Sequence, residues 1–287
     1  MPIQNISAFF VGTAPYQMYV ERLTPMPGKP RPFPLIFVHG GCHNGAYWIS
    51  RPDGEPGWAP YFCERGWTVY MVDWPGHGRS GFMPDFIHLS AQSVVDDLVI
   101  LLQKVGPAIL MTHSMSGPIG WKTADTAPNL VRGIVGSAPG RPANLQDAAE
   151  RSAVPSDAPV WFTPEEAHEF WARSDTFPAE WFTAYDRAIM PESPQALNER
   201  RHAGGARGLY VESPERLKSI PKLVITGDQD PRHPREMDES ITEYLGGDYV
   251  WLADRGIKGH SHMFMVELGH IEIAQLIEEW LEEKGLA

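Results

Sequence analysis

Short apolar runs that stop at glycine or turn residues recur along the chain, and helical periodicities fill the gaps between them. Leu35–Ile36–Phe37–Val38 runs into His39–Gly40–Gly41. Four continuous apolar positions ended by glycine predict a strand buried on both faces, the pattern of a parallel sheet. Comparable runs at Thr68 to Val72, Ala108 to Thr112, Val131 to Val135 and Lys222 to Thr226 predict further strands, with Tyr249 to Leu252 as the last. Between them, Val94, Val95, Leu98, Leu101, Leu102 and Val105 repeat at helical spacing, with Ser90 placed to cap the helix and Gly106–Pro107 to stop it. Strands alternating with helices predict βαβ units: an α/β fold with a mostly parallel sheet and helices on both faces.

The alternation breaks from about residue 140 to 215, where no clear strand occurs. A dense aromatic set takes its place: Trp161, Phe162, Phe170, Trp171, Phe177, Trp181, Phe182 and Tyr185. Helical patterning resumes at Thr163 to Arg173, with Thr163 as a cap and Pro164 at the first helical position. This predicts a core of residues 1–139 and 216–287 carrying a helical insertion, 140–215, over the C-terminal edge of the sheet, where open α/β folds bind ligands. Trp161 and Trp181 are expected to wall an apolar substrate pocket; the plainer alternative is that these aromatics pack the insertion's own core.

Composition narrows the function. With 287 residues, 43% of them hydrophobic, the chain can bury one large core. A formal net charge of −12 disfavours nucleic acid and acidic lipid surfaces as partners. Cys42 and Cys63 are too few for a disulfide framework and read as free thiols in a reducing compartment. No basic-then-apolar leader opens the chain, so the sequon Asn5–Ile6–Ser7 carries little weight, and no apolar run is long enough to span a bilayer. A soluble, cytoplasmic protein is expected, with monomer and homodimer both open. Residues Pro25 to Pro34 form a proline-rich loop carrying Lys29 and Arg31.

Candidate chemistry gathers after three strands. Ile109 to Thr112 leads into His113–Ser114–Met115–Ser116–Gly117 and then a helix to about Ala127. Strand, tight turn, helix is the setting that exposes a nucleophilic serine, Ser114, above a sheet. Thr112 and Ser116 stand where that motif has glycines, and a serine in such a turn is more often a helix cap. His39–Gly40–Gly41 follows an earlier strand, and acyl transfer needs backbone donors for an oxyanion. Gly41 and Met115 would supply them, with Cys42 and His113 beside the substrate. Asp228 and Asp230 follow the strand Leu223 to Thr226. Asp230, further beyond the strand, is the preferred acid and Asp228 the reserve. The loop Lys258 to Met265 offers His260 and His262 as bases. A metal site built on that His-x-His pair with His233 or His270 ranks below a Ser–acid–His triad. Gly76–His77–Gly78–Arg79–Ser80–Gly81 matches the dinucleotide fingerprint, but Phe82–Met83–Pro84–Asp85 follows where a helix should open, so it reads as a glycine-rich loop.

Val38–His39–Gly40–Gly41, the loop Asp73 to Ser80 and the serine elbow, in that order, resemble the α/β-hydrolase superfamily. Arg51–Pro52–Asp53–Gly54–Glu55–Pro56–Gly57–Trp58, His113 to Gly117 and Gly259–His260–Ser261–His262–Met263 resemble a bacterial carboxylesterase subgroup whose elbow carries the same serine. That resemblance implies His262 as the triad histidine. It also implies a glutamate just after the strand following the elbow helix, but Val135 to Gly140 holds no carboxylate, so the superfamily's usual acid site, here Asp230, takes its place. The expected activity is hydrolysis of a hydrophobic or aryl carboxylic ester, or a lactone, without metal or organic cofactor. Amidase and C–C bond hydrolase remain alternatives within the fold, as does a ligand receptor that has lost turnover. A haloalkane dehalogenase is disfavoured, because Ser114 stands where it needs aspartate.

Overall fold

Side chains on the central strands alternate between two buried layers, which is why those strands read as continuous apolar runs. Strand β3 (Leu35–Val38) sends Leu35 and Phe37 into one layer and Ile36 and Val38 into the other. In this computed structural model, which describes residues 3–28, 30–147 and 152–287, β3 lies near the middle of an eight-stranded sheet. Lys29 and residues 148–151 of the expected insertion lie outside the described residues.

The other strands are β1 (Ile3–Val11), β2 (Met18–Pro25), β4 (Val69–Asp73), β5 (Ala108–His113), β6 (Val131–Ser137), β7 (Lys222–Thr226) and β8 (Asp248–Trp251). Their order is β1-β2-β4-β3-β5-β6-β7-β8. Every pairing from β4 to β8 is parallel, while β1 and β2 form an antiparallel edge. The six expected strands are present to within about two residues at each end, and the edge pair is an addition. Its sequence hides it: β1 leaves Ile6 and Phe10 on the surface, and Gly12 and Pro15 break the run between the two strands.

Helices cover both faces. Against Phe37 and its neighbours pack α1 (Trp58–Glu64) and the C-terminal helix, the latter through Ile273 and Ile277. The opposite layer receives α2 (Ala91–Val105) and α3 (Ser116–Thr126). In α2, Val94, Val95, Leu98, Leu101 and Leu102 are fully buried. Burial of each such side chain contributes about 1.5–3 kcal/mol. Ser90 caps α2, accepting from the Gln92 N–H at 3.1 Å.

Between β6 and β7 the described chain forms short helices: α4 (Pro164–Ala167), α5 (Phe182–Asp186), α6 (Pro194–Arg201) and α7 (Pro214–Leu217). Thr163 and Glu166 make the reciprocal capping box at the start of α4, with Pro164 in its first turn as expected. After β7 come α8 (Arg235–Leu245) and, past β8, α9 (His270–Glu283). The sheet order folds the ends of β3, β5, β6 and β7 toward one edge, so the loops carrying Gly41, Ser114, Gly140 and Asp230 meet there. The glycine-rich stretch 76–81 forms one short 3-10 turn, Gly78–Ser80, and opens no longer helix. Among the described residues no helix is long and apolar enough to cross a membrane.

Candidate active site

Ser114 stands in the turn between β5 and α3 with φ +53°, a left-handed conformation that costs a residue with a side chain about 1–3 kcal/mol. From Ala108 to Gly120 it is the one residue that is not fully buried. The departures from the glycine-flanked motif have local compensation. A Cβ on Gly120, one turn into α3, would meet Thr112 Cγ2 at 2.7 Å, so the bare glycine makes the room that Thr112 needs. Ser116 Oγ accepts from the His113 N–H at 2.7 Å and lies 3.0 Å from the Val38 carbonyl, and so ties the elbow to β3.

The loop after β3 closes on the elbow. A Cβ on Gly40 would lie 3.1 Å from Ser114 Cβ, and one on Gly41 would lie 2.7 Å from Met115 Sδ. Amides flanking Gly41 are already engaged: Gly40 donates to Tyr47 Oη at 2.9 Å and Cys42 to Glu192 Oε2 at 3.0 Å. The Gly41 N–H donates to no group among the described residues. Met115 is the N-cap of α3, where backbone N–H groups have no intrahelical acceptor. Both expected oxyanion donors therefore sit beside Ser114.

Asp230 and His262 meet as a pair. His262 Nδ1 lies 2.6 Å from Asp230 Oδ2, and both side chains are buried. Asp230 is held down to about 2: burial opposes its charge, but the charges of His262 and His233 and its hydrogen bonds outweigh it. His262 is nevertheless lowered from the usual imidazole value, because burial, assisted by His233 and Arg232, outweighs Asp230. The pair is thus a neutral imidazole donating Nδ1–H to a carboxylate. The other ring nitrogen, Nε2, is buried and has no hydrogen-bond partner among the described residues.

The reserve acid, Asp228, does something else. Its Oδ1 accepts from the amides of Gly259 at 2.8 Å and His260 at 3.2 Å, shaping the histidine loop. His260 faces away from the pair, with Nδ1 at 2.9 Å from the buried Glu267 carboxylate. Glu267 also accepts from the Ser261 hydroxyl at 2.6 Å, so this acid locks the loop that presents His262.

Asp230, His233 and His262 could hold a metal, since one ligand atom from each falls within 4.8 Å of the others. Two donors on one tetrahedral ion at about 2.0–2.2 Å stand roughly 3.3 Å apart. The His262–Asp230 separation of 2.6 Å is the length of a hydrogen bond. The donors fit a hydrogen-bonded pair better than a shared ion. His270, the other expected third ligand, is absent from this cluster.

Three expected substrate contacts have other placements. Trp161 is 67% exposed and absent from the wall of the cavity of about 440 Å³ that its neighbours Phe162 and Phe170 line. Trp181 is buried, packed on Phe177 and under the Arg51 guanidinium. His113 uses both ring nitrogens internally: Nε2–H donates to the His262 carbonyl at 3.1 Å, and Nδ1 accepts from Tyr47 O–H at 3.0 Å. Burial holds His113 neutral, well below the usual value, as that bonding requires. Cys42 is buried with φ +62°, and it and Cys63 are free thiols, as expected.

Several residues that no local pattern announces complete the site. Glu192, from the segment before α6, is fully buried and receives the amides of Cys42 and Ser193. His77 Nε2 lies 3.4 Å from it. Burial works against charge on both, yet each stabilises the other: His77 is raised and Glu192 lowered. Two cavities open near these loops, though neither is lined by Ser114 or His262. One, about 440 Å³, reaches Gly140, whose N–H donates to the Ser114 carbonyl at 2.8 Å; the other, about 240 Å³, lies between Tyr47, Tyr185 and Met263.

Residues 35–273 match the family model described as the alpha/beta hydrolase family. The chain belongs to that family. It is similar to the probable secreted lipase phiG of a fungal species (strain ATCC 74256), at 28% identity over 98% of this chain and 90% of that protein. An sn-1-specific diacylglycerol lipase ABHD11 from Danio rerio is 30% identical over 38% of this chain and 32% of its own. Among solved structures, a bacterial esterase superposes with a TM-score of 0.65 at 19% identity, covering 98% of this chain and 96% of its own. A thermophilic esterase from Thermogutta terrifontis gives 0.68 at 20% identity, covering 97% and 99%. The α/β-hydrolase fold is the one those structures share, and this hydrolase has lipase and esterase neighbours.

Proposed function

We propose that this hydrolase cleaves a carboxylic ester through an acyl-enzyme on Ser114. The observation that carries the reading is the His262 imidazole, fixed through Nδ1 by Asp230 while Nε2 is left unbonded among the described residues beside the serine elbow. A neutral imidazole with a free Nε2 lone pair is a general base awaiting a proton. His262 takes the Ser114 proton as the hydroxyl oxygen attacks the ester carbonyl. The Gly41 and Met115 amides hold the oxyanion, and one such donor is worth about 3–4 kcal/mol in the transition state. His262 then protonates the departing alcohol, and water repeats the sequence to release the acid. Asp230 stabilises the transient imidazolium and fixes its tautomer.

The segment 140–215 serves in this reading as a cap that closes the site, and no organic cofactor takes part. Two free thiols suit a cytoplasmic setting; the fungal relative carries the word secreted in its name. The test is a screen of aryl esters, alkyl esters and lactones, run with an activated serine-directed probe. Turnover and labelling are both expected to vanish in Ser114→Ala and to survive substitution of Ser116 or Ser261. Labelling that persists in Ser114→Ala would sink the assignment.

A further inference from the structure

The cavity beside Gly140 has a charge opposite to the protein's. The chain carries a formal net charge of −12, yet among the described residues the walls of this 440 Å³ space include Arg141, Arg200, Arg201 and Arg232 and no acidic side chain. Apolar side chains, among them Phe162 and Leu197, make up much of the rest. Arg200 and Arg201 end α6, where a cation complements the helix dipole. That accounts for neither Arg141, which follows β6, nor Arg232, which follows β7. Among the described residues Arg141, Arg201 and Arg232 have no ion-pair partner. Arg232 is the least solvated; burial lowers it from the usual guanidinium value, and the charge of Arg201 adds to the effect. Its neighbour Asp230 is occupied by His262 and by the Arg232 backbone N–H at 2.9 Å. Guanidinium groups crowded into one cavity repel, and a planar carboxylate, which takes paired N–H donors, relieves that repulsion.

The cavity adjoins the candidate site through the backbone, although Ser114 and His262 do not line it. Gly140 donates to the carbonyl of Ser114, and Arg232 stands two positions after Asp230. From these juxtapositions we infer that the cavity is a subsite for an anionic arm, so that the ester cleaved carries a carboxylate on an apolar chain. This rests on the esterase reading above and names its substrate class. Arg141, Arg201 and Arg232 receive the carboxylate while Phe162 and Leu197 cover the chain, and the ester carbonyl is left at Ser114.

The test separates binding from turnover. Ser114→Ala protein is titrated calorimetrically with monomethyl adipate and with neutral methyl hexanoate, alone and with Arg141→Gln and Arg201→Gln added. The acid is expected to bind about tenfold or more tightly than the neutral ester, and the two arginine substitutions to remove that preference. With Ser114 intact, proton release should show the same preference in kcat/KM, and both esters should still turn over in the arginine variant. Equal binding of the two esters, or a preference that survives both substitutions, overturns the subsite. An arginine-dependent preference with no hydrolysis of either ester would uphold the anion subsite and remove the esterase reading instead.

Discussion

Glu192 Oε2 accepts the amide of Cys42 at 3.0 Å, and so joins the segment before α6 to the loop that carries Gly41. The Met190 N–H donates back to the Cys42 carbonyl at 2.8 Å, which fixes both sides of that residue. With its amide so committed, Cys42 has no N–H to offer an oxyanion, and the proposed mechanism gives that role to Gly41. Glu192→Gln keeps an acceptor for Cys42 but removes the charge that pairs with His77. Breaking a buried pair costs about 3–5 kcal/mol, and a loss of this size is expected in urea unfolding at pH 6. The sign follows from the shifts. Glu192 is lowered, so its contribution is full above its ordinary 4.5 and fades as pH falls through the depressed value; His77 is raised, so its contribution is full below 6.5 and fades as pH climbs through the elevated value. The gap between wild type and variant should be widest between those two ordinary values, and a gap independent of pH would refute the ion pair.

Asp230→Asn tests the acid. The amide retains the size of the carboxylate but holds the imidazole in the wrong tautomer, a change that costs roughly 10⁴ in kcat in a serine protease triad. Asp228→Asn keeps an oxygen for the Gly259 and His260 amides, so its effect should stay within about one order of magnitude. Rate measurements on the two variants with one aryl ester decide between them, and a collapse in Asp228→Asn would reverse the assignment.

The Asp230–His262 pair was legible in the sequence because both residues follow short local signals, a buried strand before Asp230 and a histidine loop before the last helix. The placing of Ser114 in the turn after β5 was legible for the same reason. Glu192 and Glu267 were not, since each acts on a partner fixed only by the tertiary fold: Cys42 is 150 positions from Glu192. The aromatic insertion misled in detail. Apolar character placed Trp161 in a pocket wall, whereas that residue is 67% exposed and its neighbour Phe162 turns inward. Adjacent positions on an irregular segment point in different directions, and no periodicity exists there to tell which faces in. The edge strands β1 and β2 were missed because an antiparallel edge buries only part of its side chains.

The pH dependence of kcat/KM reports the free enzyme's base. Burial lowers His262 from its ordinary 6.5 in spite of Asp230. Activity requires the neutral imidazole, so the acid limb should fall below that value and the rate should stay level through neutrality. Measurement with a neutral alkyl ester avoids titrating the substrate. A limb centred above 6.5 would mean that Asp230 dominates over burial and that the resting pair is charged.

Gly120 and Thr112 form the last test, because the room made by one is used by the other. A methyl group on residue 120 would sit 2.7 Å from Thr112 Cγ2. Gly120→Ala is therefore expected to overpack the base of the elbow at a cost of about 1–3 kcal/mol, and to lower kcat by moving Ser114. Thr112→Ser deletes the offending methyl and keeps the hydroxyl that donates to the Val135 carbonyl at 3.3 Å. In Gly120→Ala the added Thr112→Ser should recover most of the lost stability and rate, although alone it removes packing. Contacting pairs give coupling energies of about 0.5–3 kcal/mol. Additive effects in that double-mutant cycle would show that the elbow tolerates threonine two positions before the serine for some reason other than the bare glycine above it.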